Sequence, residues 1–290
     1  MKPFEQVLGE GSVLVVQFEP PAGPRLDEWA AGAEKLRDKV SAFLVSDNPA
    51  GETRVSPLLA ARALADRGLE TIVTLSCRDR NRLALASDLL AAEAAGLKNV
   101  LAVSGDHPVT GPNPGARPVY DLDSVQLLAL IQEMNQGREP GGRPLDPPTS
   151  LFAGAVVNPE VRSPGGQFLK LRLKAATGAK FICTQAVFHP DKYLEMIEQV
   201  RDLGVKFLAG LRLIGPAEVG EITAGRRPWL NQPLETKAGL EAAPERALEI
   251  SLALAQQTAG ALRGRTDGFV IMAPGLNDRL PEILERLELE

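Results

Sequence analysis

Two polar residues, Gln17 and Glu19, close the stretch VLVVQFEPPAG just before Pro20-Pro21 stops an apolar run. A carboxyl group can hold and release a proton beside a reacting atom; an amide cannot do so at any useful pH. A buried strand has no structural reason to end in either. Other apolar runs end the same way, in Ser46-Asp47-Asn48, Ser76-Cys77-Arg78-Asp79, Ser104-Gly105-Asp106-His107, Asn158-Pro159-Glu160, Thr184-Gln185 and Pro274-Gly275-Leu276-Asn277. Amides, hydroxyls and a few acids dominate this set, with no serine–histidine or cysteine–histidine pair among them. Such a set suits binding of a heteroaromatic, hydrogen-bonding molecule better than nucleophilic hydrolysis. Cys77, Cys183, His107 and His189 make up the whole cysteine and histidine complement, and their spacing matches no zinc site. Metal catalysis is therefore not expected, and the cysteines read as reduced core thiols.

The elements that must position these groups follow from periodicity. Short apolar runs at Val13–Phe18, Ala42–Val45, Thr71–Leu75, Asn99–Val103, Phe152–Val157, Phe181–Thr184, Phe207–Leu213 and Gly268–Ile271 read as strands. Helical patterns alternate with them: Leu26–Val40 with Asp27 as a cap, a helix opened by Ser56-Pro57, Asn81–Ala95, Ser124–Gln136, Gly166–Ala176, Pro190–Leu203, Pro244–Leu262 and Leu280–Leu287. Eight strand-then-helix units of this length predict a (β/α)₈ TIM barrel forming a single domain over residues 1–290. The rival is a doubly wound open sheet, weakened because no G-x-G-x-x-G turn follows the first strand. In a barrel the polar strand ends gather on the C-terminal rim, where chemistry is expected. Two connections are long: 137–150, on the opposite side and read as structural or as a subunit contact, and 215–242, on the rim side and read as a short helix, a lid or both.

The bulk numbers bound the rest. The 290 residues are 44% hydrophobic and 24% charged, with a net charge of -5 of mixed signs. This predicts an ordinary soluble, cytoplasmic protein with no nucleic-acid footprint, no membrane span and no signal peptide.

Two segments carry a family resemblance. TLSCRDRNRLALASDLLAAEAAGLKNVLAVSGDHP, from Thr74 to Pro108, and LKAATGAKFICTQAVFHPDKYLEMI, from Leu173 to Ile197, resemble the methylenetetrahydrofolate reductase family. The first pairs a cysteine–x–aspartate turn with a terminal G-D-x-P; the second has a G-A pair, a strand ending in T-Q, and an aromatic helix start. The resemblance extends more loosely from Val13 to Asn277. It implies a barrel flavoprotein that passes hydride from reduced FAD, or FMN, to 5,10-methylenetetrahydrofolate. NADH, NADPH or another donor, including a partner protein, would reload the flavin, and a homo-oligomer is expected. The resemblance puts Asp106 beside the flavin and the pterin, and Gln185 against the folate and the nicotinamide. It puts Ser46, Thr74, Ser104, Gly105, Asn158 and Lys174 on the cofactor, with Lys174 near the phosphates. Asn277 and Arg279 would reach the substrate, although the family's L-N-R here becomes Leu276-Asn277-Asp278-Arg279. Arg78, Asp79, Arg80 and Arg82 read as a solvated helix start, and Phe188 and Tyr193 fit helix packing as well as stacking.

The family's first strand ends E-x-x-P-P, its glutamate being the general acid that protonates N10. Aligned on the prolines, that position holds Gln17, and the carboxylate stands at Glu19. Side chains two apart on a strand share a face, so Val13, Val15, Gln17 and Glu19 lie on one side and both polar groups can face the barrel mouth. Gln17 and Glu19 are separated by roughly 6.6 Å along the strand. Glu19 can serve as the acid if the substrate sits higher, the strand end bulges, or a water relays the proton. Beside flavin-dependent reduction stand two alternatives: a flavin-free protein that binds a reduced pterin for methyl transfer or delivery, and a non-catalytic subunit of a redox assembly.

Overall fold

A computed structural model describes residues 1–161, 163–225 and 230–289. In chain order the elements are α1 (Phe4–Glu10), β1 (Val13–Phe18), α2 (Leu26–Glu34), β2 (Ala42–Val45), α3 (Pro57–Ala65), β3 (Thr71–Ser76), α4 (Arg82–Ala94), β4 (Asn99–Val103), α5 (Ser124–Asn135), β5 (Phe152–Val157), α6 (Gly165–Ala176), β6 (Phe181–Ala186), α7 (Pro190–Val200), β7 (Lys206–Arg212), α8 (Pro216–Thr223), α9 (Leu234–Ala242), α10 (Ala247–Leu262), β8 (Gly268–Met272) and α11 (Leu280–Leu287). The strands pair in parallel in sequence order, and β1 closes on β8 through Val13↔Gly268 to Val16↔Ile271. This is a (β/α)₈ barrel, and its closure overturns the open-sheet alternative.

The period of two along each strand sorts the core into two layers. Val13, Val15, Leu44, Ile72, Leu101, Leu208 and Val270 fill the barrel interior. Val16, Phe18, Phe43, Val45, Val73 and Leu75 face outward into the apolar stripes of the surrounding helices. The two cysteines divide the same way, Cys77 outside and Cys183 inside, both free and buried.

Helix α1 has no counterpart in the expected elements. It closes the N-terminal end of the barrel, with Phe4 fully buried against Phe181 at 5.2 Å and Phe152 at 6.3 Å between ring centroids. Edge-to-face aromatic packing of this kind adds about 1 kcal/mol per pair beyond the area buried. The seven-residue helix is too short to stand without that contact.

Other differences are local. Helix α2 ends at Glu34 rather than Val40, and Asp27 lies inside its first turn, Arg25 taking the cap position. Segment 137–150 folds back onto the ends of α4 and α5, where Ser150 N–H donates to Glu93 at 2.8 Å and Thr149 Oγ1 to Asn135 Oδ1 at 2.6 Å. Segment 215–242 contains α8 and α9, which bury a separate small cluster of Ile214, Val219, Ile222, Leu240 and Ala247. Residues 226–229 of that segment lie outside the described residues. No helix among the described residues is long and apolar enough to cross a membrane.

Candidate active site

The C-terminal rim opens into two adjoining cavities, one of about 320 Å³ and one of about 350 Å³, each within the range of small-molecule sites. Gln17, Asp106 and Gln185, from three separate strand ends, line both. The first cavity continues over Ser46, Thr74, Ser104, Gly105 and Lys174; the second over Glu19, Arg54, Arg212 and Gly275. With Pro49 and Ala50, which also line both walls, these residues form a neck between the two.

Glu19 is held from several sides. Its main-chain oxygen accepts from Trp29 Nε1 at 2.7 Å and from Asn277 Nδ2 at 3.0 Å, and its carboxylate accepts from Gly275 N–H at 3.3 Å. The side chain is buried, and burial raises its carboxyl above the usual carboxylate range; the Gly275 hydrogen bond and the Arg54 and Arg212 charges oppose this without reversing it. A neutral carboxylic acid facing a cavity is the form a proton donor needs.

Gln185 reaches the neck because β6 is irregular. The register with β7 shifts between Cys183 and Ala186. Thr184 Oγ1 donates to Gln185 O at 2.7 Å and accepts from Gly210 N–H at 2.9 Å, which holds the bulge. Gly210 is required there, since a Cβ would lie 2.7 Å from Thr184 O and 2.8 Å from Gln185 O. A glycine inside the predicted strand Phe207–Leu213 was the available sequence signal.

Asp106 is aimed by its neighbours. Gly105 has φ +85°, and a Cβ on it would meet Ser76 Oγ at 2.2 Å and Arg78 Cβ at 2.8 Å. Tyr120 OH donates to Gly105 O at 3.0 Å. Beneath them Arg78 is buried, contrary to the solvated helix start expected from sequence. Its guanidinium grips Asp79 through Nε at 2.7 Å and Nη2 at 2.6 Å, and donates to Asp106 O at 3.3 Å and Asn48 O at 3.1 Å. Burial pushes the Asp79 carboxyl up, and the Arg78 hydrogen bond and charge override it, leaving it below its usual range. Arg80 is similarly tied, to Asp47 at 2.5 Å and Asp88 at 2.7 Å, while Asp47 also accepts from Ser76 N–H at 2.8 Å. Arg82 alone of the group is an exposed helix start. Charge runs read as solvated by default, and only the packing of three rim loops shows otherwise.

Lys174 projects from α6 into the first cavity's wall. Its ammonium donates to Val156 O at 2.6 Å, makes no ion pair among the described residues, and is lowered by burial to about 8. A buried amine facing a cavity without a carboxylate partner leaves room for an anionic group to complete its charge.

Several expected site residues are placed elsewhere. Asn158 caps its own turn, accepting from Glu160 N–H at 2.9 Å, and lines neither cavity. Asn277 pins the Glu19 main chain from outside the rim and borders a separate surface hollow. Arg279 is exposed and paired with Glu282 at 2.8 Å, away from both cavities. Glu160 is a buried clamp, accepting from Phe188 N–H at 2.9 Å and His189 N–H at 2.8 Å, with Lys192 at 3.3 Å. Phe188 and Tyr193 are core residues, the Tyr193 hydroxyl donating to Thr266 Oγ1 at 2.8 Å.

The family model for methylenetetrahydrofolate reductase matches residues 7–218, from within α1 into α8, and so includes the strand ends that supply Gln17, Asp106 and Gln185. The chain belongs to the methylenetetrahydrofolate reductase family. Curated members are distant: the probable NADPH-dependent methylenetetrahydrofolate reductase of Caenorhabditis elegans is 24% identical over 66% of this chain and 28% of its own length. The 5,10-methylenetetrahydrofolate reductases of Pectobacterium carotovorum and Escherichia coli are each 24% identical over 65% of this chain, and over 59% and 60% of their own lengths. The matched part of the chain thus spans less than two thirds of these relatives. Among solved structures, an uncharacterized Clostridium thermocellum protein that binds two copies of 5-methyl-5,6,7,8-tetrahydrofolic acid superposes with a TM-score of 0.70 at 12% identity, covering 98% of this chain and 97% of that one. At that identity the likeness shows the methylenetetrahydrofolate reductase-family chain sharing a fold, and no more.

Proposed function

We propose that this chain reduces 5,10-methylenetetrahydrofolate to 5-methyltetrahydrofolate, with Glu19 as the proton donor. The observation that carries the reading is a buried carboxyl group, raised by burial, in a cavity whose neck is lined by Gln17, Asp106 and Gln185. The reaction protonates N10, breaks its bond to the methylene carbon, and adds hydride to that carbon. Glu19 gives the proton; Gly275 N–H, Arg54 and Arg212 then steady the carboxylate left behind. Asp106 accepts hydrogen bonds from the amino-pyrimidine edge of a pterin, and the Gln185 amide meets its carbonyl side. Gln17 orients the ring from the third side and takes no part in proton transfer.

The first cavity fits a flavin on one count: the Lys174 ammonium, bonded to Val156 O, has no carboxylate partner among the described residues, and a flavin phosphate would supply the anion. Ser46, Thr74 and Ser104 add hydroxyls along the same wall. A reduced flavin bound there would supply the hydride, and a nicotinamide or a partner protein would reload it.

A second reading, flavin-free binding of a reduced pterin for methyl transfer or delivery, draws on two observations. Gln17 stands where the family carries its acid, and the similar Clostridium thermocellum fold is known by its bound 5-methyltetrahydrofolate. The absorption spectrum of the purified protein separates them. Yellow protein bleached by a reductant and recoloured by methylenetetrahydrofolate is the expected result. Colourless protein that still binds 5-methyltetrahydrofolate replaces the first reading with the second.

A further inference from the structure

We infer that Arg54 binds the carboxylate tail of the folate, a role that deepens the proposed function and rests on it. Tetrahydrofolates end in a glutamate, whose carboxylates need a cation where the tail leaves the site. Arg279 is turned to Glu282 and lines neither cavity. Among the described residues, the cations lining the Glu19 cavity are Arg54 and Arg212. Arg212 is committed to Glu218, both side chains being largely buried at 13% and 17% exposure. Arg54 pairs instead with Glu52, whose side chain is 40% exposed, and Arg54 Nε is buried without a hydrogen-bond partner. An ion pair with a solvated partner is worth little, so a substrate carboxylate can replace Glu52 on the guanidinium at small cost. The position is also apt: Arg54 N–H donates to Asn48 Oδ1 at 2.9 Å, which anchors it to the loop whose Pro49 and Ala50 line both cavities. Glu52 then acts as a tethered stand-in for the substrate's tail.

The same guanidinium could meet a nucleotide phosphate, and the test distinguishes the two. Affinities for 5-methyltetrahydrofolate, its triglutamate form and the tail-less 5-methyl-6-methyltetrahydropterin are measured on wild type, Arg54→Gln and Glu52→Gln, with thermal unfolding as a control for folding. Arg54→Gln should weaken both tailed folates about tenfold more than the tail-less pterin, because a hydrogen bond to a charged group is lost. Glu52→Gln should tighten the tailed folates, a gain that misfolding cannot mimic. Equal losses for tailed and tail-less ligands, no change, or, in parallel titrations with NADH and NADPH, an effect confined to those nucleotides would each overturn the assignment while leaving the folate reading in place. Wild-type protein that binds no folate at all would overturn both.

Discussion

Gly275, just past β8, donates its N–H to the carboxylate of Glu19, just past β1, at 3.3 Å, across the seam where the barrel closes. That contact and burial set the protonation of the group on which the proposed chemistry turns. Glu19→Gln should reduce methylenetetrahydrofolate turnover at least about tenfold, in line with loss of a general acid. Because the competent form is protonated and its pKa is raised, wild-type rate should fall as pH rises through a value above the ordinary carboxylate range. The variant should lose that limb, as steady-state rates against pH will report.

The same shift has a stability consequence. A carboxyl raised in the folded state binds its proton more tightly there than in the unfolded chain, so its contribution falls as pH rises above the unfolded value. Glu19→Gln should therefore melt at a higher temperature than wild type at neutral pH and lose this advantage at acid pH. Calorimetric scans across that range check it.

Lys174 works in the opposite sense. Its folded pKa of about 8 lies below the ordinary lysine value, so this residue's contribution to stability should grow as pH rises from about 8 toward 10.5. Lys174→Met should stabilise the protein at neutral pH yet weaken binding of a phosphate-bearing flavin. Titration with FMN and FAD at pH 7 and pH 9 should show affinity falling with pH in wild type and flat in the variant.

Arg78 ties three rim loops together and carries Asp106 on its guanidinium. Arg78→Met leaves Asp79 without its partner and should cost about 2–3 kcal/mol in denaturant unfolding, below the ~3–5 kcal/mol of fully buried pairs because Asp79 is part-exposed. Folate affinity should fall as well, since the Asp106 main chain loses a donor.

Phe4→Ala opens the closed end of the barrel beneath Phe152 and Phe181 and should cost about 3–5 kcal/mol. Since α1 lies at the end opposite the cavities, folate affinity of the folded variant should be unchanged, as unfolding and binding isotherms together would show.

What could be read along the chain was whatever is local. Apolar alternation and breaker residues place the strands to within two residues, because a strand's burial pattern and its turn chemistry are written in neighbouring positions. The polar ends of those strands are equally visible, and the barrel brings Gln17, Asp106 and Gln185 into one neck. Whatever depends on segments far apart needed the fold. Burial of Arg78 among three loops, the bulge that turns Gln185 inward over Gly210, the phenylalanine plug, and the outward path of Arg279 all arise from packing between elements that no local pattern links. The raised carboxyl of Glu19 belongs to this second group as well. The residue is in the sequence, but its protonation is decided by the dielectric and the dipoles that β8 and the rim loops bring to it.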